Sequence, residues 1–385
     1  MSEGNNNNNT VTSPHQLLYL DNDIRTVPDG TVAIRCDGHD RPCYFGKLLI
    51  SATVTHMEGV AYIANCNDIL VDPNNPVYCS VDGVVYTRDM KTLVAFPQGK
   101  LWRKGEQFLY TFYVPAGTEH IGDTAFAYNR SLKEIVLPDG VESIGASAFA
   151  HCLDLYNVNI PESVTFIGKH CFWESTRINR LRIPAAVTPL YTSNLSNAIA
   201  IEIDDGVTEL EIDTIPIGFP VINRLVDEKL TARPLLLCKN NPVIENFSCS
   251  AGYRCITDYT IDQNGVIWTK KELLCFPANW RFDRYQIPAH TKRVYAFAFS
   301  ATMLGFIWSY HSIPFYPMYE FLDYTMPGTQ KPGKKKVYRL SPGTLPSADF
   351  LLEDDPLNLD NDFGPIRSPK DDLEDSEDDT SNWYL

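Results

Sequence analysis

A period of 23 residues runs through the middle of the chain, and it limits the possible folds more than any other feature of the sequence. Prolines stand at Pro115, Pro138, Pro161 and Pro184, and the aliphatic residues Ile121, Ile144, Ile167 and Leu190 follow each by six positions. Phe126, Phe149 and Phe172 keep the same step, as do Leu109, Leu132, Leu155 and Ile178 upstream of the prolines. Columns that hold register over several copies are the mark of a stacked repeat.

Within one copy, Ile135 and Leu137 alternate with Glu134 and Val136. That period of two predicts a short strand with one side inward. Pro138 has no N–H to donate to a ladder and so ends the strand. Beyond Gly145, residues 146–149 are too few for a full helix, so a turn or a single helical turn is expected as the return path. A lone unit cannot cover its own apolar side chains, whereas stacked neighbours join them into one continuous core. Each fully buried side chain of this kind is worth about 1.5–3 kcal/mol.

The stretches Ile144-Gly145-Ala146-Ser147-Ala148-Phe149-Ala150-His151-Cys152 and Ile160-Pro161-Glu162-Ser163-Val164-Thr165-Phe166-Ile167-Gly168 resemble the BspA-like leucine-rich repeats. The resemblance is strong over residues 109–190 and returns at Tyr285-Gln286-Ile287-Pro288 and Val294-Tyr295-Ala296-Phe297-Ala298-Phe299. Between them, residues 201–210 fit the strand and turn but lack the proline, and read as a shortened repeat. Residues 81–97 and 263–277 resemble each other, and each reads as a β-hairpin inserted before a repeat. Such hairpins, preceded by a segment like Asp72-Pro73-Asn74-Asn75-Pro76, are similar to those of the same family. The resemblance implies a leucine-rich-repeat solenoid, mainly short β-strands with turns or single helical turns, plus the inserted hairpins. It also implies a binding role, often on exported or surface-displayed proteins.

The expected organisation is an unstructured Asn-rich start over 1–16 and an N-terminal cap with its hairpin over 17–108, irregular up to about residue 70. The solenoid follows over 109–325, with a second hairpin near 258–277, and a linker with an acidic, disordered tail closes the chain over 326–385. The net charge of −15 belongs mostly to that tail, since residues 348–385 hold 13 Asp and Glu against Arg367 and Lys370. The nearly balanced remainder offers no attraction for a phosphate backbone, so no nucleic acid is expected as partner. With no run of about 18 apolar residues, no membrane insertion is expected either. The start carries no basic and apolar leader, which favours a cytoplasmic location, with the cell surface or secretion as the alternative. Of the ten cysteines, Cys152, Cys171 and Cys275 sit beside repeat apolar residues and read as inert buried thiols; pairing or zinc is the other possibility.

No phosphate loop, nucleophile elbow, zinc-protease or dinucleotide motif is present, so neither a catalytic site nor a cofactor is expected. His120, His151 and His170 fall at different repeat positions, +5, +13 and +9 from the prolines, and would not line one face. The acidic run 371–379 lacks the turn glycine of a calcium loop, and Trp383-Tyr384-Leu385 reads as an idle terminus, with a short docking motif for a basic partner as the alternative. Function therefore falls to the outward strand positions of the concave side: Thr111, Tyr113, Glu134, Val136, Asn157, Asn159, Arg180, Arg182, Glu202, Arg284 and Gln286. That mixed set suits a protein partner. Arg180 and Arg182, two apart on one strand, form a paired basic spot whose removal should leave folding almost unchanged. The alternatives are a surface or secreted adhesin or effector, and an enzyme with its site in the non-repeat residues 1–70 or 210–255.

Overall fold

The computed structural model describes residues 9–20, 23–38, 43–100, 102–104, 107–175, 177–195, 198, 200–213, 235–251, 254–277, 284–288, 291–294, 298, 306–309 and 336–339. The described residues up to Thr257 form one compact unit and those from Asp258 onward another.

In the first unit each repeat crosses two parallel ladders. Thr111–Tyr113, Glu134–Val136 and Asn157–Asn159 make the first, with Thr111 opposite Glu134 and Glu134 opposite Asn157. Thr92–Ala95, His120–Ile121, Ser143–Ile144 and Phe166–Ile167 make the second, with His120 opposite Ser143 and Ser143 opposite Phe166. From Thr111 in the first ladder and His120 in the second, each step is 23 residues, so the sequence period is the pitch of a leucine-rich-repeat solenoid; the hairpin strand joins at a step of 28, Thr92 opposite His120. The next step is shorter: Arg180 lies opposite Ala200 and Leu190 opposite Leu210, as expected of a shortened repeat. The ladder continues through Leu235–Cys238 to Arg254–Ile256, with the helix Pro242–Ala251 between them.

The periodic apolar residues build the core. Phe126 and Phe149 stack at 5.3 Å between centroids, and Phe149 and Phe172 at 5.5 Å. Ile121, Ile144 and Ile167 are buried beside them. The return path is a turn, held by left-handed backbone at Thr124, Ser147 and His170 and again at Tyr128, His151 and Glu174. Glycine at 145 and 168 follows from how closely the turns approach. A Cβ on Gly145 would lie 2.5 Å from the Asp123 nitrogen, and one on Gly168 would lie 2.4 Å from the Ala146 nitrogen.

Polar staples cross the same contacts, because a buried amide or carbonyl left unpaired costs about 1–3 kcal/mol. Asn129 donates to the carbonyl of Pro97 (3.2 Å) and accepts from the Leu132 amide (2.9 Å). Asn194 donates to the Gly168 carbonyl (2.9 Å) and accepts from the Cys171 amide (2.8 Å). Ser175 accepts from the Cys152 amide (3.1 Å) and donates to the Phe149 carbonyl.

The N-terminal region corrects two expectations. Residues 17–70 are not irregular: Ile24–Thr26, Phe45–Ile50 and Cys66–Val71 run parallel, with Ile24 opposite Lys47 and Lys47 opposite Asp68. A companion ladder sets Thr10 opposite Ala33 and Ala33 opposite His56, so part of the supposedly unstructured start is a strand. Three of these four steps are again 23 residues and one is 21; the coil continues into this region with Pro28 six residues before Ile34 as in the later repeats, but the next turn has Ser51 in place of the proline and the Phe column is missing. Residues 1–8 lie outside the described residues.

The two hairpins form as expected, each joined to a repeat strand. Tyr78–Val81, Val84–Thr87 and Thr92–Ala95 run antiparallel, and the last pairs parallel with His120–Ile121. In the second unit Thr260–Ile261, Ile267–Trp268 and Glu272–Cys275 repeat the pattern, and the last pairs parallel with Arg293–Val294. The likeness extends to one hydrogen bond, from Phe96 to the Ala125 carbonyl (2.7 Å) and from Phe276 to the Ala298 carbonyl (2.8 Å).

The first hairpin is a wall with two apolar faces. Val84, Tyr86, Leu93 and Phe96 belong to the repeat core, whereas Val85 and Ala95 belong to the core of the N-terminal coils. Alternate strand residues point to opposite sides, and a register shift between Leu93 and Ala95 adjusts the alternation. In the second unit Arg284–Gln286 pairs with Phe306–Ser309, which pairs antiparallel with Lys336–Arg339. Residues 336–339, expected in the linker, are therefore a strand, and the acidic residues 348–385 with Trp383-Tyr384-Leu385 lie outside the described residues.

Candidate functional site

The first ladder presents its intervening side chains outward in two columns. In the column of Thr111, Glu134, Asn157 and Arg180 the turns are tied together. Thr111 donates to Glu134 Oε2 (3.1 Å), and Asn157 Nδ2 to Glu134 Oε1 (2.8 Å). The second column is Tyr113, Val136, Asn159 and Arg182. Asn159 is committed to the backbone of Leu137, accepting from its amide at 2.7 Å and donating to its carbonyl at 2.9 Å. Tyr113 is 69% exposed, the most open of these aromatic and aliphatic positions, and Val136 lies half-buried next to it.

Both arginines of the expected basic spot are engaged by carboxylates. Arg180 forms an ion pair with Glu202, whose side chain is 11% exposed, and Arg182 bridges Glu162 and Asp204, the latter at 2.6 Å. Both guanidinium groups therefore spend their charge between neighbouring turns. The hydrogen bond that Arg182 donates to Glu162 raises the Arg182 pKa and keeps it charged, while burial holds the Asp204 carboxyl above its ordinary range even beside that guanidinium. The two shifts oppose each other for one pair. The geometry favours the ionised pair, because Arg182 donates directly to the Asp204 carboxylate. Arg284 and Gln286 lie on a strand in the second unit, and their side chains fall outside the described residues.

One residue upstream of the strands, sequence reasoning missed a further row. Lys133 Nζ stands 4.4 Å from the centre of the Tyr110 ring. Arg177 donates to the Tyr156 hydroxyl at 3.0 Å and pairs with Asp154 at 2.8 Å. The signal was present, since Tyr110, Lys133 and Tyr156 are each 23 apart; only the strand positions had been lined up. Tyr110 is 45% exposed and sits three residues from Tyr113.

The histidines occupy separate surroundings. His120 contacts Ser143 Oγ at 2.9 Å, His151 stacks on Tyr128 at 4.2 Å and meets Glu174 at 3.1 Å, and His170 meets Trp173 edge-on at 5.2 Å. Among the described residues no group of three or more His, Cys, Asp or Glu is placed to hold a metal ion. Burial pushes the Cys152 thiol up to about 12, and burial with the nearby Asp37 charge does the same for Cys36, which keeps both protonated and unreactive. No helix among the described residues is long and apolar enough to cross a membrane.

Comparison with known proteins finds no match among curated sequences. Among solved structures the chain is similar to the pneumococcal vaccine antigen PcpA, at 16% identity over 61% of this chain and 62% of that one, with a TM-score of 0.42. It is also similar to a leucine-rich repeat protein from Eubacterium ventriosum, at 18% identity over 64% and 69% of the two chains, with a TM-score of 0.38. A leucine-rich cell surface protein from Faecalibacterium prausnitzii aligns at 20% identity over 48% and 55%, with a TM-score of 0.39. The chain thus spans less than two thirds of the pneumococcal and Faecalibacterium proteins. Residues 106–213 match the family described as BspA type leucine rich repeat region, in six copies. Residues 106–213 are thus BspA-type leucine-rich repeats.

Proposed function

We propose that the chain is a non-catalytic binding protein whose outward strand face, at the end bearing Tyr110, Tyr113 and Val136, docks a protein partner. The observation that carries this reading is the exposure of two tyrosines, 45% and 69%, three residues apart at the first strand of the ladder. The rest of that face is occupied with itself. Glu134, Asn157, Asn159, Arg180, Arg182 and Glu202 spend their polar groups on neighbouring turns, which makes them framework for the face and leaves the tyrosines to meet a partner. Tyrosine offers a large, rigid, amphipathic contact at small cost in side-chain entropy, and it is enriched where interface energy concentrates.

The test is capture of the native partner by wild type and by the Tyr110→Ala, Tyr113→Ala double variant. The variant is expected to keep the wild-type circular dichroism spectrum and to lose capture by about tenfold or more. Equal capture by both proteins overturns the assignment to this face.

A further inference from the structure

Two thiols at the end of the first unit stand in contact. Cys238 closes the strand Leu235–Cys238 and is fully buried, and Cys255 lies in the middle of the adjacent strand Arg254–Ile256, partly buried. The strands are parallel, with Leu236 opposite Cys255, so Cys238 and Cys255 are diagonal neighbours on the inward face. Their sulfurs are 3.2 Å apart. Other described thiols face different groups: Cys66 the Asp68 carbonyl, Cys79 the Met90 sulfur, and Cys152 the Phe126 carbonyl.

We propose that Cys238 and Cys255 form a disulfide when the protein meets a small-molecule disulfide as oxidant. A bond of about 2.05 Å requires the sulfurs to close by roughly 1 Å, which side-chain rotation together with a small approach of the two strand ends would supply. The order of events follows from access. Cys255, the more accessible of the two residues, attacks as thiolate one sulfur of the oxidant, breaks its S–S bond and releases one small thiol. Cys238 then loses its proton, attacks the Cys255 sulfur of the mixed disulfide, and releases the second small thiol. Two protein thiols are oxidised, one small disulfide is reduced to two thiols, and the two protons leave with them. Burial, together with the neighbouring Cys255, raises the pKa of the Cys238 thiol, which makes the closing step the slow one. The bond would tie together the two ends of a strand–helix–strand unit whose cysteines are 17 residues apart, restricting the unfolded chain and so stabilising the end of the ladder.

The test uses the full chain treated with oxidised glutathione, alkylated, digested without reduction and analysed by mass spectrometry. The expected product is a peptide pair linked through Cys238 and Cys255, lighter by two hydrogens and separated by dithiothreitol. Cys238→Ser should accumulate glutathione on Cys255, whereas Cys255→Ser should leave Cys238 as a free thiol. Cys43, which is exposed, reports that the reagent is active. Wild-type protein that carries glutathione on Cys43 but shows no 238–255 link, or that links either cysteine to a different one, overturns the proposal.

Discussion

Phe149 has a ring on each side, Phe126 at 5.3 Å and Phe172 at 5.5 Å, and is itself fully buried. Truncating it removes contacts with both neighbouring turns at once. Phe149→Ala is expected to lower the unfolding free energy by about 3–5 kcal/mol in a denaturant titration; a loss below about 0.5 kcal/mol would contradict the stacked core. Asp213 supplies a pH-dependent case. Burial acts to raise its pKa, but hydrogen bonds from the Ser193 hydroxyl (2.7 Å), the Ser193 amide (2.9 Å) and the Thr192 hydroxyl (3.0 Å) outweigh it and leave the carboxyl below its usual 3.8. A folded pKa below the unfolded one gives stability that is present above the unfolded value and is lost as pH falls through the folded one. Asp213→Asn should therefore melt lower than wild type at pH 6, and the gap should close as the pH drops below 3.8; a gap that persists in acid would refute the carboxylate's role. At this scale the apolar residues were legible in the sequence and the polar ones were not. Phe149 announces itself by its column, whereas Asn129 and Asn194 are chosen by the carbonyls they meet in another turn. The ion pairs of Arg180 and Arg182 were hidden for the same reason, since their carboxylate partners lie 20 or more residues away in sequence.

Strands and turns in this chain are too short to be stable alone, so each draws its stability from the next turn. Gly145 shows how tight that contact is. Gly145→Ala would drive a methyl group to within 2.5 Å of the Asp123 nitrogen and 2.6 Å of the Gly122 carbonyl carbon, and backbone cannot rotate aside. An overpacking cost of about 1–3 kcal/mol is expected by thermal or chemical unfolding, and an unchanged midpoint would show that the turns separate easily. The Arg180–Glu202 pair makes a second comparison. Its carboxylate is 11% exposed, whereas the two partners of Arg182, Asp204 and Glu162, are 21% and 67% exposed, so Arg180→Ala should destabilise more than Arg182→Ala. Adding Glu202→Gln to Arg180→Ala should recover part of the loss, by roughly 1 kcal/mol or more, because it removes a desolvated charge; no recovery would mean that the pair is only a surface contact. The hairpins were legible because two copies resembled each other. The N-terminal coils were hidden because register, which the backbone keeps at 23, leaves a trace only where each turn uses the same residue types: Pro28 is followed one step later by Ser51, and Ile34 by Met57.

Across the first unit the apolar interior divides in two, with Val84, Tyr86, Leu93 and Phe96 serving one core and Val85 and Ala95 the other. Contact between the cores thus passes largely through one hairpin. Ile34→Ala, deep in the N-terminal core, is expected to speed amide exchange in Phe45–Ile50 and Cys66–Val71 while leaving Glu134–Val136 and Asn157–Asn159 protected, as separately opening regions do. Equal acceleration throughout would mean that the wall transmits unfolding and that the unit opens as one. The hairpin also has a consequence for how such a chain can change over generations. Because each of its faces answers to a different set of side chains, replacements on the N-terminal side can accumulate and be sorted without disturbing the packing of the periodic region. The hairpin therefore works as a joint between cassettes, where one stack of coils could be exchanged for another while the strand beyond it still offers Thr92–Ala95 to the next turn.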